Sequence, residues 1–109
     1  MEKQKLLFVC LENQDRSPAA ESLFKNSKKY EAKSAGISKT ARTPITTQAI
    51  KWADVILPME GIHASFILNN FSEAKNKKIV VLNVSSDFCR NDPELIDILK
   101  IKLENEGFL

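Results

Sequence analysis

Cys10 is followed, after five intervening residues, by Arg16 and Ser17 in the run Cys10-Leu11-Glu12-Asn13-Gln14-Asp15-Arg16-Ser17. A thiolate attacks electrophilic centres, and a guanidinium offers a planar fork of donors that matches two oxygens of one phosphoryl group. Backbone N–H groups of a short loop and of a following helix converge on the same anion. The field that holds a dianion also stabilises a thiolate: thiols in such surroundings ionise at roughly 3.5–7.5 instead of about 8.5. The chemistry implied is attack by Cys10 on a bound tetrahedral oxyanion. Leu11, Glu12, Asn13, Gln14, Asp15 and Arg16 supply the phosphate-binding groups, and Ser17 stands ready to cap the helix. A second candidate lies late in the chain, where Asp92 precedes Pro93. A carboxylic acid there can protonate a leaving oxygen, a contribution of about 10²–10⁴-fold, and an Asp before Pro also starts helices.

These side chains need elements that bring them to one place. Residues 5–10 carry the unbroken apolar run Leu6-Leu7-Phe8-Val9 and read as a buried strand of a parallel sheet. Residues 17–26 read as a helix with Pro18 in its first turn. A short strand is expected over 30–34, a helix over 44–52, a strand over 53–57 and a helix over 60–71. A fourth strand is expected over 79–82 and a final helix over 93–106, its stripe formed by Leu95, Ile98, Leu99 and Leu103. Residues 37–43 are polar and irregular. Alternating strands and helices imply right-handed crossovers and a parallel sheet covered on both faces, an α/β architecture. Ligands of such sheets bind beyond the carboxyl ends of the strands, where Cys10 falls.

With 109 residues and no linker or repeat, one domain over 1–109 is expected. Apolar content of 43%, charged content of 28% and a net charge of +2 suit a globular protein and argue against a dedicated nucleic-acid surface. The apolar run at the N-terminus is too short for a secretory core, and no stretch is long enough to span a membrane. Two cysteines without a secretion signal point to a reducing, cytoplasmic setting. His63 is the single histidine, expected on a helix surface, and no cluster has metal-ligand spacing. Neither metal nor cofactor is expected.

Together these stretches resemble the low-molecular-weight protein tyrosine phosphatase family. The loop near the N-terminus continues as Arg16-Ser17-Pro18-Ala19-Ala20-Glu21, and Ser34-Ala35-Gly36, the stretch Trp52 to Glu60 and Asp92-Pro93 follow in the family's order. The resemblance implies a three-layer phosphatase-I-like fold with a four-stranded sheet in the order 2-1-3-4. It also implies a metal-free reaction through phosphocysteine, with Cys10 as nucleophile and Asp92 as acid and then base. Ser17 would hydrogen-bond the thiolate, and Asn13 would hold a left-handed backbone, which asparagine tolerates. Phosphotyrosine on a protein is the substrate implied, with a small phosphoester as the other possibility and inorganic phosphate as product. A monomer is expected.

Glu12 stands where the family carries a small residue, and Asp15 where many members carry a second cysteine. Carboxylates facing the site would oppose an anion. No tyrosine pair follows Asp92-Pro93, so an aromatic wall depends on Phe88. Cys89 is a possible redox partner of Cys10, protecting it from over-oxidation. Two other readings therefore stand beside the enzyme: a phospho-ligand binding relative without turnover, and a thiol-dependent arsenate reductase, which the cysteine count disfavours.

Overall fold

A computed structural model describes residues 2–109. Four parallel strands, β1 (Gln4–Cys10), β2 (Tyr30–Gly36), β3 (Val55–Pro58) and β4 (Lys78–Ile79), form one sheet in the order β2-β1-β3-β4. Helices α1 (Arg16–Ser22), α2 (Thr47–Trp52), α3 (Gly61–Asn70) and α4 (Pro93–Asn105) cover it, with a 3₁₀ turn at Ser72–Asn76.

β1 is buried on both faces because its side chains alternate between two cores. Leu6, Phe8 and Cys10 pack with α1 and α4 residues such as Ala20, Leu95 and Leu99. Leu7 and Val9 pack on the other face with Ile50 and Ile67 of α2 and α3. That explains the unbroken apolar run: a strand between two helical layers has no solvent face. Cys10 pairs with Gly36 at the carboxyl end of the central strand.

Several boundaries differ from the sequence reading. α1 stops at Ser22, whose hydroxyl donates to the Ala19 carbonyl, and residues 23–25 continue in tight i→i−3 turns. β2 runs two residues further, to Gly36. α2 begins at Thr47, capped by Thr46, whose side chain accepts from Ala49 N. Pro44 bridges to Gly36 instead, because Gly36 N donates to Thr43 O and Ile45 N donates to Gly36 O. The expected fourth strand over 79–82 is paired as strand only at Lys78–Ile79. Val80, Leu82 and Val84 still donate to Ile56, Pro58 and Met59 carbonyls at 2.9, 3.0 and 2.8 Å. Beyond Val84 the chain leaves the sheet and crosses the carboxyl edge towards α4.

Candidate active site

The loop between β1 and α1 is shaped by where its carbonyls go. Cys10 O accepts from Ile37 N, Leu11 O from Ser38 N and Glu12 O from Arg42 N, each at 3.0 Å. In a trans peptide the N–H opposes the C=O. The amides of Leu11, Glu12 and Asn13 are therefore turned away from residues 37–42. Asn13 shows the result directly, since its N–H lies 3.2 Å from Cys10 Sγ. It adopts φ 57°, the left-handed conformation expected of it. The loop also rests on Gly36. A Cβ there would lie 2.6 Å from Leu11 O, 2.6 Å from Ala41 Cβ and 3.0 Å from Asn13 N.

Around the sulfur the polar groups form a closed set. Ser17 Oγ lies 3.0 Å from Cys10 Sγ, and Asn13 Nδ2 donates to Ser17 Oγ at 2.8 Å. All three residues are buried, as is Arg16. The guanidinium Nη1 donates to Glu60 Oε2 and, at 2.8 Å, to the Val84 carbonyl. Arg16 is thus pinned between the ends of β3 and of the strand-like run that follows β4. Glu60 precedes α3, and its own N–H donates to Nδ1 of His63 at 3.1 Å. His63 is buried, contrary to the surface position expected from sequence. Burial, and then the Arg16 charge, lower its pKa below the ordinary imidazole value, against a smaller upward pull from Glu60.

A cavity of about 160 Å³ opens beside Cys10, lined by Leu11, Glu12, Gln14, Asp15, Arg16, Ser86 and Phe88. Both unusual carboxylates line it, and one oxygen of each bonds to a residue outside the lining. Asp15 Oδ1 accepts from Arg90 N at 2.9 Å, tying the loop to the segment before α4. Glu12 Oε2 is 3.4 Å from Thr40 Oγ1. Phe88 supplies the single aromatic wall of the cavity. Asp92 is half-buried and does not line the cavity: it caps α4, Oδ1 accepting from Glu94 N at 2.9 Å, with Pro93 in the first turn. Asp87 accepts from Ser85 Oγ. Cys10 and Cys89 are both free, the first buried and the second exposed. Among the described residues no group of three or more His, Cys, Asp or Glu could hold a metal ion.

Sequence reasoning missed Glu60, His63, Ser86 and the Val84 carbonyl. One signal pointed to the first: Glu60 follows the strand that neighbours β1, so it must emerge at the same sheet edge as Cys10.

The structure thus brings together, at the end of the central strand, a thiol, the Asn13 amide, the Ser17 hydroxyl and a pinned arginine. The model of the family described as low molecular weight phosphotyrosine protein phosphatase matches residues 5–51, which contain the whole loop. No curated protein sequence matches the chain. Solved structures are similar over nearly all of it. They include the tyrosine phosphatase Wzb from Escherichia coli K30, in complex with phosphate, with 19% identity, 96% of each chain covered and TM-score 0.73. A protein tyrosine phosphatase from Entamoeba histolytica has 25% identity, covers 95% of this chain and 93% of its own, and gives TM-score 0.71. The YwlE arginine phosphatase from Geobacillus stearothermophilus has 24% identity, 94% of each chain covered and TM-score 0.67. The chain is similar to the low molecular weight phosphotyrosine protein phosphatases, in sequence across the loop and in fold across nearly its whole length. No helix among the described residues is long and apolar enough to cross a membrane.

Proposed function

We propose that the chain is a phosphoric monoester hydrolase acting through a phosphocysteine. The observation that carries this is the contact set at Cys10 Sγ: Asn13 N–H at 3.2 Å and Ser17 Oγ at 3.0 Å, with buried Arg16 on the same cavity. Leu11 to Asp15 and Arg16 bind the phosphoryl oxygens. Cys10 Sγ forms the S–P bond as the P–O bond to the leaving group breaks, and Asp92 gives its proton to that oxygen. A water then attacks phosphorus, its proton passes to Asp92, and the S–P bond breaks to release inorganic phosphate. The Ser17 hydroxyl stabilises the departing thiolate. Asp92 Oδ1 is occupied as a helix cap, which leaves Oδ2 to carry the proton. We further infer a monomer in a reducing, cytoplasmic setting, a reading that rests on the sequence.

Hydrolysis of an aryl phosphate by wild type, Cys10→Ser and Asp92→Asn tests the assignment. Turnover is lost in the first variant and reduced in the second. Unchanged turnover in Cys10→Ser refutes it, and phosphate binding without turnover in the wild type leaves the phospho-ligand binder.

A second reading concerns the leaving group. Glu12, Gln14 and Asp15 make the cavity wall polar and acidic, and Phe88 is its single ring. That lining suits a phosphoryl group carried on a cationic side chain, and the similar structures include an arginine phosphatase. Paired phosphotyrosine and phosphoarginine peptides decide between the two by the ratio of kcat/KM.

A further inference from the structure

The chain's single histidine sits beside the cation of the phosphate loop, 2% exposed. Burying an imidazole costs more than burying a leucine unless its polar atoms are used. Here one is: Nδ1 accepts from the Glu60 N–H at 3.1 Å. A neutral imidazole accepts at one nitrogen and donates at the other, so this bond places the ring proton on Nε2.

Glu60 N–H is the peptide where the chain passes from β3 into α3. Glu60 itself has extended backbone, φ −141° and ψ 161°, and the helix begins at the next residue. The preceding N–H, of Met59, is fixed by Val9 O at 2.8 Å. The Glu60 N–H has passed the end of that ladder and takes its acceptor from the third residue of the helix. Glutamate or glutamine ordinarily reaches back in this way at helix starts. An imidazole in that role adds rigidity, since only two torsions separate Nδ1 from the backbone. What the bond orients is the backbone of the one carboxylate that accepts from Arg16 Nη1.

We propose that His63 is a positioning residue for phosphate binding: the lone pair on Nδ1 fixes the main chain of Glu60, and Glu60 fixes the guanidinium of Arg16. This rests on the reading that residues 10–17 bind phosphate. The surroundings preserve the lone pair, because burial and the Arg16 charge both disfavour the imidazolium. A protonated ring would present N–H to N–H at Glu60 and set a second cation beside the first.

The test compares wild type, His63→Gln and His63→Leu. Inorganic phosphate binding is measured by calorimetry, and KM and kcat are measured with an aryl phosphate. His63→Leu keeps the volume and loses the acceptor. Its phosphate Kd and KM rise roughly tenfold, a change of about 1.4 kcal/mol, while kcat changes by less than about threefold. His63→Gln reaches back to the same N–H and stays within about threefold of wild type in all three quantities. Wild-type phosphate affinity in a folded His63→Leu protein overturns the proposal and leaves the phosphate-loop reading intact. Equal damage in both variants also overturns it, because the acceptor would then not be what matters. A wild type that binds no phosphate removes both readings together. Should His63→Leu not fold, His63→Gln must still bind phosphate as wild type does. The imidazole ¹⁵N shifts of wild type must also show the Nε2–H tautomer at neutral pH, and an Nδ1–H tautomer overturns the proposal.

Discussion

Within residues 10–17, Cys10, Asn13, Arg16 and Ser17 are buried and hydrogen-bonded, whereas residues 85–92 touch the rest of the molecule at few points. In the first segment the sulfur, the Asn13 amide, the Ser17 hydroxyl and the Arg16 guanidinium are buried and bonded to one another or to neighbouring strands. In the second, Ser85, Ser86, Asp87, Cys89, Arg90 and Asn91 are exposed, and no strand or helix contains them. It is tied to the rest of the molecule by the Arg90 N–H on Asp15, by Phe88 packed against the core and by the Asp92 cap, while the Ser85–Asp87 and Asp92–Cys89 bonds lie within the segment. In the proposed reaction the difference would separate two tasks. Gripping an oxyanion requires dipoles that are already aimed before the ligand arrives. Delivering a proton requires one carboxyl group that can approach leaving groups of different shape.

Breaking the first region has the largest consequences. Cys10→Ser abolishes turnover of an aryl phosphate and leaves the protein folded, as read by steady-state kinetics and circular dichroism. Gly36→Ala comes next, since its methyl would sit 2.6 Å from the Leu11 carbonyl, a backbone atom that cannot swing aside. Overpacking of this kind costs about 1–3 kcal/mol. Chemical denaturation should show that loss, accompanied by a raised KM.

The second region should respond in a more divisible way. Asp92→Asn keeps an N-cap side chain and removes the acid, so kcat falls about 10²-fold with little change in Tm. Asp92→Ala adds the loss of the cap, about 1 kcal/mol. Equal Tm and unequal kcat between Asn and wild type would separate the two duties; equal kcat would mean that Asp92 only caps α4. The smallest effect concerns stability and pH. The folded state holds His63 below its ordinary pKa, so the unfolded chain takes up that proton first. Stability therefore rises with pH through this window and falls as pH drops below about 6.5. The urea midpoint should decline between pH 7 and pH 5, and His63→Gln should flatten that decline.

Much of this was legible in the sequence because it is local. The apolar run of β1, the spacing of Cys10 and Arg16, Asn13 at a left-handed position and the order of strands and helices all lie within short windows or in the family pattern. The apolar residues 79–82 signal burial, and Val80 and Leu82 do bond to β3 carbonyls, but the regular strand is confined to Lys78–Ile79. His63 departs from its expected surface position for a related reason. Its partners Glu60 and Arg16 meet only after β3 docks beside β1, and helical spacing alone cannot tell a face turned to a charged site from one turned to water. The acidic side chains at 12 and 15 could be flagged from sequence, but their bonding depends on residues 40 and 90, distant along the chain.

One guanidinium nitrogen serves both halves of the site: Arg16 Nη1 meets the Glu60 carboxylate and also the carbonyl of Val84, the last residue bonded to the sheet before the exposed crossing to α4 begins. Lesions placed on either side of that shared donor will not sum as independent increments, because each changes the constraint under which the other is felt. Whatever loosens the root of the crossing is felt in the cradle, and the converse holds with equal force.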